Sequence, residues 1–144
     1  MGILITGAAG FISQIVVKEL LSDETNELVL TDVVTPTIPR EAKHPIKVRT
    51  IDAGLYESAK SVVLDGLDAA IILHGVMSGG AEANLELGYR VNVDATRLLL
   101  DVLVRKCPVV RVLYASTAAV YSSPVPKKNV MEMDIPTPES SYGC

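Results

Sequence analysis

Short apolar runs alternate with longer stretches of helical spacing along most of the chain. Gly2 to Thr6 (GILIT) is a compact apolar run that stops at a glycine, as a buried strand does. From Phe11 to Leu21 the apolar positions Phe11, Ile12, Ile15, Val16 and Leu20 recur at three- and four-residue steps and predict a helix. Glu27 to Asp32 (ELVLTD) predicts a second strand. Thr35 to Pro45 holds three prolines and reads as a loop. Pro45-Ile46 leads into a third strand ending near Ile51, and Tyr56 to Leu64 forms a short helix. Ala69 to His74 (AAIILH) predicts a fourth strand, Glu82 to Arg105 a long helix, and Val109 to Ala115 a fifth strand. Pro124, Pro126, Pro136 and Pro138 make the remainder mostly loop.

Strands alternating with helices predict an α/β fold: a parallel sheet with helices on both faces. The strands are near-continuous in Val, Ile and Leu, which fits burial on both sides. No repeat, low-complexity tract or linker divides the chain, so its 144 residues predict one domain. Within the long helix one stripe runs Leu85, Gly88, Asn92, Ala95, Leu99, Val102, and this face should be buried. Asn92 sits in its middle. A buried amide needs partners for its donors and its acceptor. It is either an ordinary satisfied core amide or one that ties a neighbouring backbone down and positions a site.

The sharpest local signal is Thr6-Gly7-Ala8-Ala9-Gly10-Phe11-Ile12-Ser13, between the first strand and the first helix. Gly7 permits a tight turn there. Gly10 has no side chain, so a pyrophosphate can approach the backbone. The free N–H groups and the positive dipole end of the helix then hold the anion. Gly7, Ala9, Gly10, Phe11 and Ile12 are therefore the candidate residues for a dinucleotide. Ser13 stands where a third small residue packs helix on strand, and no Lys-Ser/Thr pair makes this a nucleoside-triphosphate loop.

Asp32 closes the second strand, 22 residues after Gly10. A carboxylate there can accept hydrogen bonds from both ribose hydroxyls and would repel a 2′-phosphate, so the cofactor is predicted to be NAD, not NADP. Asp52, with Ala53 beside it, ends the third strand in the same way; it lies beside the adenine or is a turn residue. These features specify a Rossmann-type doubly wound parallel sheet.

Composition narrows the partners. Apolar residues make up 49% and charged residues 21%, the balance of a folded globular chain. The net charge of -4 argues against nucleic acid, and Lys127-Lys128, the densest basic spot, reads as a surface pair. No apolar run approaches the ~20 residues of a membrane span. Ile3 to Ile5 runs straight into glycines, unlike a signal peptide. The two cysteines, Cys107 and Cys144, fit neither a metal spacing nor a disulfide framework, so no metal site and a reducing, cytoplasmic location are expected.

At this point the residues resemble a known family. Thr6-Gly-Ala-Ala-Gly-Phe-Ile, Asp32, Tyr89-Arg-Val-Asn92-Val-Asp-Ala-Thr96, Ala115-Ser-Thr-Ala-Ala-Val-Tyr121 and Ser140-Ser-Tyr142-Gly together look like an extended short-chain dehydrogenase/reductase. This is the class of nucleotide-sugar epimerases and dehydratases, and the resemblance runs from Gly2 to Cys144. The segment His74 to Asn92 is similar to the D-erythronate dehydrogenase-like branch, which oxidises a small sugar acid with NAD.

The resemblance implies roles. Tyr142 matches the catalytic tyrosine of a Tyr-x-x-x-Lys motif, which as phenolate takes a proton from a substrate hydroxyl. A free phenol has a pKa of about 10, so it needs nearby positive charge to act near neutrality. Tyr142 would also border the cofactor. Thr117 matches the catalytic Ser or Thr that holds the reacting oxygen, with Ser116 its alternative one residue away. Gly75 falls where small residues lie against the cofactor, and Ser78 where a serine reaches the nicotinamide ribose or substrate. His74 either packs or touches the cofactor. Ala118, beside Thr117, replaces the acidic residue of a dehydratase and disfavours dehydration.

The resemblance also implies a homodimer through the helices that include Glu82 to Arg105, and a small-molecule substrate. The family lysine would fall at position 146. Residues 1–144 are thus expected to be the NAD-binding part of a longer enzyme. The sheet would be incomplete on its C-terminal side, with little dehydrogenase activity by itself. The alternatives are a nucleotide-sugar epimerase or dehydratase, and a non-catalytic dinucleotide-binding module.

Overall fold

The strand β1 (Gly2–Thr6) lies at the centre of the fold, because Ile3, Leu4, Ile5 and Thr6 are all withdrawn from water. In the computed structural model, which describes residues 1–40, 48–52, 55–121 and 129–144, β1 pairs in parallel with β2 (Glu27–Asp32) on one side and β4 (Ala69–Ile72) on the other. The strand β3 (Val48–Asp52) joins β2, and β5 (Arg111–Tyr114) joins β4. The resulting order, β3-β2-β1-β4-β5, is the Rossmann-type doubly wound arrangement that the alternation predicts. The order reverses between β1 and β4, and ligands of open α/β sheets bind outside the carboxyl ends of the strands at such a point.

Alternation along each strand splits the core into two layers. Ile3, Ile5, Leu28 and Leu30 face α1 (Phe11–Leu20) and pack with Val17 and Leu21. Leu4, Val29, Ala70 and Ile72 face the opposite way. They meet Val62 of α2 (Leu55–Val62) and Leu99, Val102 and Leu103 of α5 (Thr96–Lys106). Lys106 ties those two helices together by donating to the Val63 carbonyl at 2.8 Å and the Lys60 carbonyl at 3.1 Å, beside the C-terminus of α2.

Three expectations from the sequence change. The apolar residues at the start of α1 do not face the sheet: Phe11 is 83% exposed and Ile12 62%. Ile15 is exposed as well, and the inward face is Ser13 and Val17. The reason is local: Ser13 donates its hydroxyl to the Gly7 carbonyl at 2.6 Å, so the first turn of the helix is oriented by the glycine turn, not by its apolar stripe.

The long helix is broken. It is preceded by α3 (Ser78–Ala83), restarts at α4 (Leu85–Gly88), widens into a π-helix over Tyr89–Ala95 and only then becomes α5. Asn84 makes the break, with φ -144° and a side chain that accepts the Leu87 N–H at 3.0 Å. Gly88, Ala95, Leu99 and Val102 of the foreseen stripe are buried, Asn92 is half-buried and Leu85 is exposed.

The third change is at β5. Its four side chains are all exposed, against the two-sided burial foreseen, and β4 is its one partner strand among the described residues.

Candidate cofactor and catalytic site

The turn after β1 is built around backbone contacts that exclude side chains. Gly7 has φ +64°, and a Cβ there would stand 2.7 Å from the His74 nitrogen and from the Leu73 carbonyl oxygen. The Gly10 N–H donates to the Gly7 carbonyl at 3.0 Å, and the Gln14 amide donates to the Ala8 carbonyl at 2.7 Å. Gly10 is the N-cap of α1, in extended conformation, and no side chain caps the helix. The first N–H groups of α1, starting at Phe11 and Ile12, therefore have no intrahelical acceptor and lie at the positive end of the helix dipole. That is a seat for an anion.

Asp32 joins this turn from the end of β2. One carboxylate oxygen accepts the Ala9 N–H at 3.0 Å, and the other accepts the Val33 N–H at 2.7 Å. Each oxygen keeps a lone pair for a hydroxyl. A diphosphate seat with a carboxylate bonded to its edge fits the diphosphate and ribose of a dinucleotide. Asp52 stands directly opposite Asp32 in the sheet register, at the end of β3; Ala53 lies outside the described residues.

A cleft of about 170 Å3 opens at the ends of β4 and β5, with His74, Gly75, Asn92, Ser116, Thr117 and Tyr142 among its walls. Its first wall is held by Asn92, which accepts the Val76 N–H at 2.7 Å and donates to the Val76 carbonyl at 3.0 Å. The amide thus mimics a strand neighbour for the loop after β4. Gly75 approaches the same amide, with 3.4 Å between its would-be Cβ and the Asn92 side-chain oxygen.

Thr117 caps the 3-10 helix Ala118–Val120 by accepting the Ala119 N–H at 3.2 Å. Its own hydroxyl proton stays available, so it can donate to an oxygen in the cleft. Tyr142 directs its hydroxyl at the Met77 sulfur, 3.6 Å away. The two candidate catalytic residues line one cleft, with separate hydroxyl partners. Ser78 opens α3 next to Met77 and is not among the cleft's lining residues.

Several participants carry no signal in the sequence. Glu82 of α3 accepts the Ser141 hydroxyl at 2.7 Å and the Tyr142 N–H at 3.4 Å. The Ser141 hydroxyl, and after it the backbone N–H groups of Tyr142 and Ser141, hold this carboxyl below its ordinary 4.5. Thr6 and Thr96 bond the two ring nitrogens of His74. Burial pushes the His74 imidazole below its ordinary 6.5, against opposing pulls from the Val91 backbone and the Asp32 carboxylate. Such contacts join residues far apart in the chain, so only the fold reveals them.

A parallel sheet in this order, with a glycine turn and an acidic strand end at its switch point, defines a dinucleotide-binding α/β protein. Comparison with known proteins makes the class specific. Residues 3–144 match the NAD dependent epimerase/dehydratase family, and the chain belongs to it. The cofactor of that family is NAD. Over 148 aligned residues the chain is 31% identical to a D-erythronate dehydrogenase of Haemophilus influenzae, covering 99% of this chain and 46% of that protein.

Among solved structures it is similar to a nucleoside-diphosphate-sugar epimerase from Agrobacterium tumefaciens. The TM-score is 0.85 and the identity 31%, over 99% of this chain and 44% of the other. MoeE5 in complex with UDP-glucose and NAD gives a TM-score of 0.82 and 27% identity, over 99% and 44% of the two chains. The chain thus spans about half the length of the relatives it matches. Among the described residues no helix is long and apolar enough to cross a membrane.

Proposed function

We propose that this chain is the cofactor-binding part of an NAD-dependent dehydrogenase that oxidises a hydroxyl of a small, D-erythronate-like sugar acid. The observation that carries the reading is the Asp32 carboxylate bonded to the Ala9 N–H of the glycine turn. It couples the ribose-reading group directly to the diphosphate seat. NAD, when bound, supplies the hydride acceptor.

The chain's own residues then have distinct tasks. The start of α1 holds the diphosphate, and Asp32 accepts the ribose hydroxyls. Thr117 donates to the reacting oxygen. Tyr142 takes the proton from the substrate hydroxyl. The likeness to a D-erythronate dehydrogenase supports the substrate class. A second reading, epimerisation of a nucleotide sugar, is favoured by the likeness to the Agrobacterium protein. Ala118 next to Thr117 speaks against the dehydratase branch.

Isothermal calorimetry of the chain with NAD and with NADP tests the cofactor assignment. NAD should bind more tightly, and Asp32→Asn should weaken NAD by about 10- to 100-fold, the worth of hydrogen bonds to a charged group. NADP binding as tightly as NAD would overturn the role of Asp32. Turnover of four-carbon sugar acids, against UDP-sugars, by a protein carrying this chain separates the two substrate readings.

The family's pairing of two copies is supported by the exposed apolar positions Leu85, Tyr89, Val93, Leu100 and Val104 along α4, the π-helix and α5. Sedimentation of a monomer at every concentration would remove that reading.

A further inference from the structure

His74 occupies the place where the glycine turn, α5 and the cleft meet. Its Nδ1 lies 2.8 Å from the Thr6 hydroxyl oxygen, and its Nε2 lies 3.1 Å from that of Thr96. Thr6 is the last residue of β1, directly before Gly7, and is fully buried. Its hydroxyl oxygen also accepts the Leu73 N–H at 3.2 Å. Thr96 is the first residue of α5, just past the π-helix. Gly7 in turn rests against the His74 backbone. One side chain therefore spans from the residue that precedes the diphosphate turn to the helix that backs the cleft.

We infer that His74 is a positioning residue for the dinucleotide site: bonded through both ring nitrogens, its imidazole fixes the end of β1, and with it Gly7 and the diphosphate turn, against the start of α5. The inference rests on the reading that this turn holds NAD. In this bridge the Thr6 hydroxyl, whose oxygen also accepts the Leu73 N–H, gives its proton to Nδ1. The ring proton then sits on Nε2, facing Thr96. This assignment requires a neutral ring.

A second proton on Nδ1 turns that acceptor into a donor and leaves the buried Thr6 hydroxyl proton without its partner. The charged group acting on the ring is Asp32, from the end of β2. Tyr114, Tyr142 and Cys144 line the same cleft. Because burial holds the folded pKa below 6.5, the ring is neutral at neutral pH. The bridge is in place above 6.5 and is lost as pH falls through the lowered value.

The test uses NAD itself as the probe. Its affinity for the chain is measured by calorimetry from roughly pH 5 to 8, the window of histidine titration. The proteins are the wild type, His74→Gln, His74→Ala, and His44→Gln as the control for the other histidine. The wild type and His44→Gln should lose affinity about three- to tenfold toward the acid end, the worth of one hydrogen bond. His74→Gln, with a donor and an acceptor that do not titrate, should be flat across this range. His74→Ala should bind more weakly than wild type at neutral pH.

Equal pH dependence in wild type and His74→Gln overturns the inference. Should His74→Gln not fold, Thr96→Val removes one end of the bridge and must weaken NAD at neutral pH; unchanged affinity overturns the inference. A second measurement needs no ligand: by NMR the Gly7 amide must follow the titration of the His74 ring, and an indifferent Gly7 amide also overturns the inference. If NAD binds at no pH, the cofactor reading fails by itself, and the NMR titration still decides whether His74 governs the turn.

Discussion

Replacing Gly7 by alanine separates two reasons for a glycine at that position. The backbone φ of +64° carries a penalty for any side chain of about 1–2 kcal/mol. The new Cβ would also stand 2.7 Å from the His74 nitrogen and the Leu73 carbonyl oxygen, and 2.8 Å from the His74 Cα. These are backbone atoms of the strand end next door, which cannot rotate away as a side chain can. Forcing atoms into a packed site adds about 1–3 kcal/mol. The sum is about 2–5 kcal/mol, a large part of the stability of a small domain.

Gly66→Ala is the matched control, because Gly66 has φ +78° and no atom within 4 Å of the would-be Cβ. It should lose only the conformational part, about 1–2 kcal/mol. Urea denaturation reads both. With a slope of about 2 kcal/mol per molar for a domain of this kind, Gly7→Ala should lower the midpoint by roughly 1–2.5 M and Gly66→Ala by less than about 1 M. Gly7→Ala should also weaken NAD. Equal midpoints for the two variants would refute the close approach of β1 to the loop after β4.

Asn92→Ala removes both bonds to Val76 and should destabilise by about 1–3 kcal/mol; a change within error by urea denaturation would show that water replaces the amide. Leu99→Ala empties a fully buried position between α5 and the sheet and should lose about 2–5 kcal/mol in the same assay, with a loss under ~1 kcal/mol contradicting the core assignment. For Glu82, whose carboxyl is held below 4.5, the contact to Ser141 is present above that value and is lost as pH falls through the lowered one. The Tyr142 amide resonance should follow this titration in the wild type and not in Glu82→Gln; an amide that stays still in both would sever Glu82 from the Tyr142 segment.

The strands and the glycine turn were legible because each is specified by neighbours in the sequence. Ile3 to Thr6, Leu28 to Thr31 and Ala69 to Ile72 are short apolar runs bounded by turn residues, and the sheet uses them nearly as read. Asp32 was legible for the same reason: its distance from Gly10 is fixed by one strand, one helix and one turn. The break in the long helix was not. An apolar stripe at three- and four-residue steps passes through a π-turn without a visible fault.

The start of α1 misled for another reason. Phe11, Ile12 and Ile15 have the right spacing for a buried face, but periodicity does not say which side of a helix a neighbouring turn will claim. Ser13 claims it, through one hydrogen bond to Gly7. Of the cleft, Thr117, Tyr142 and Asn92 were singled out from the sequence. Glu82 was not, because a carboxylate 59 residues from Ser141 has no meaning until the chain has folded.

The amide of Asn92 holds the loop after β4 by its peptide groups alone, at Val76 N–H and Val76 carbonyl. A grip of this kind makes no demand on the side chain of the residue it holds. Val76 and Met77 can therefore change without unseating the backbone that carries them. The same loop presents His74 to the glycine turn and Met77 to Tyr142. The anchor and the variable surface are thus separate, so new side chains can be tried beside the cofactor seat while the path of the chain stays constant.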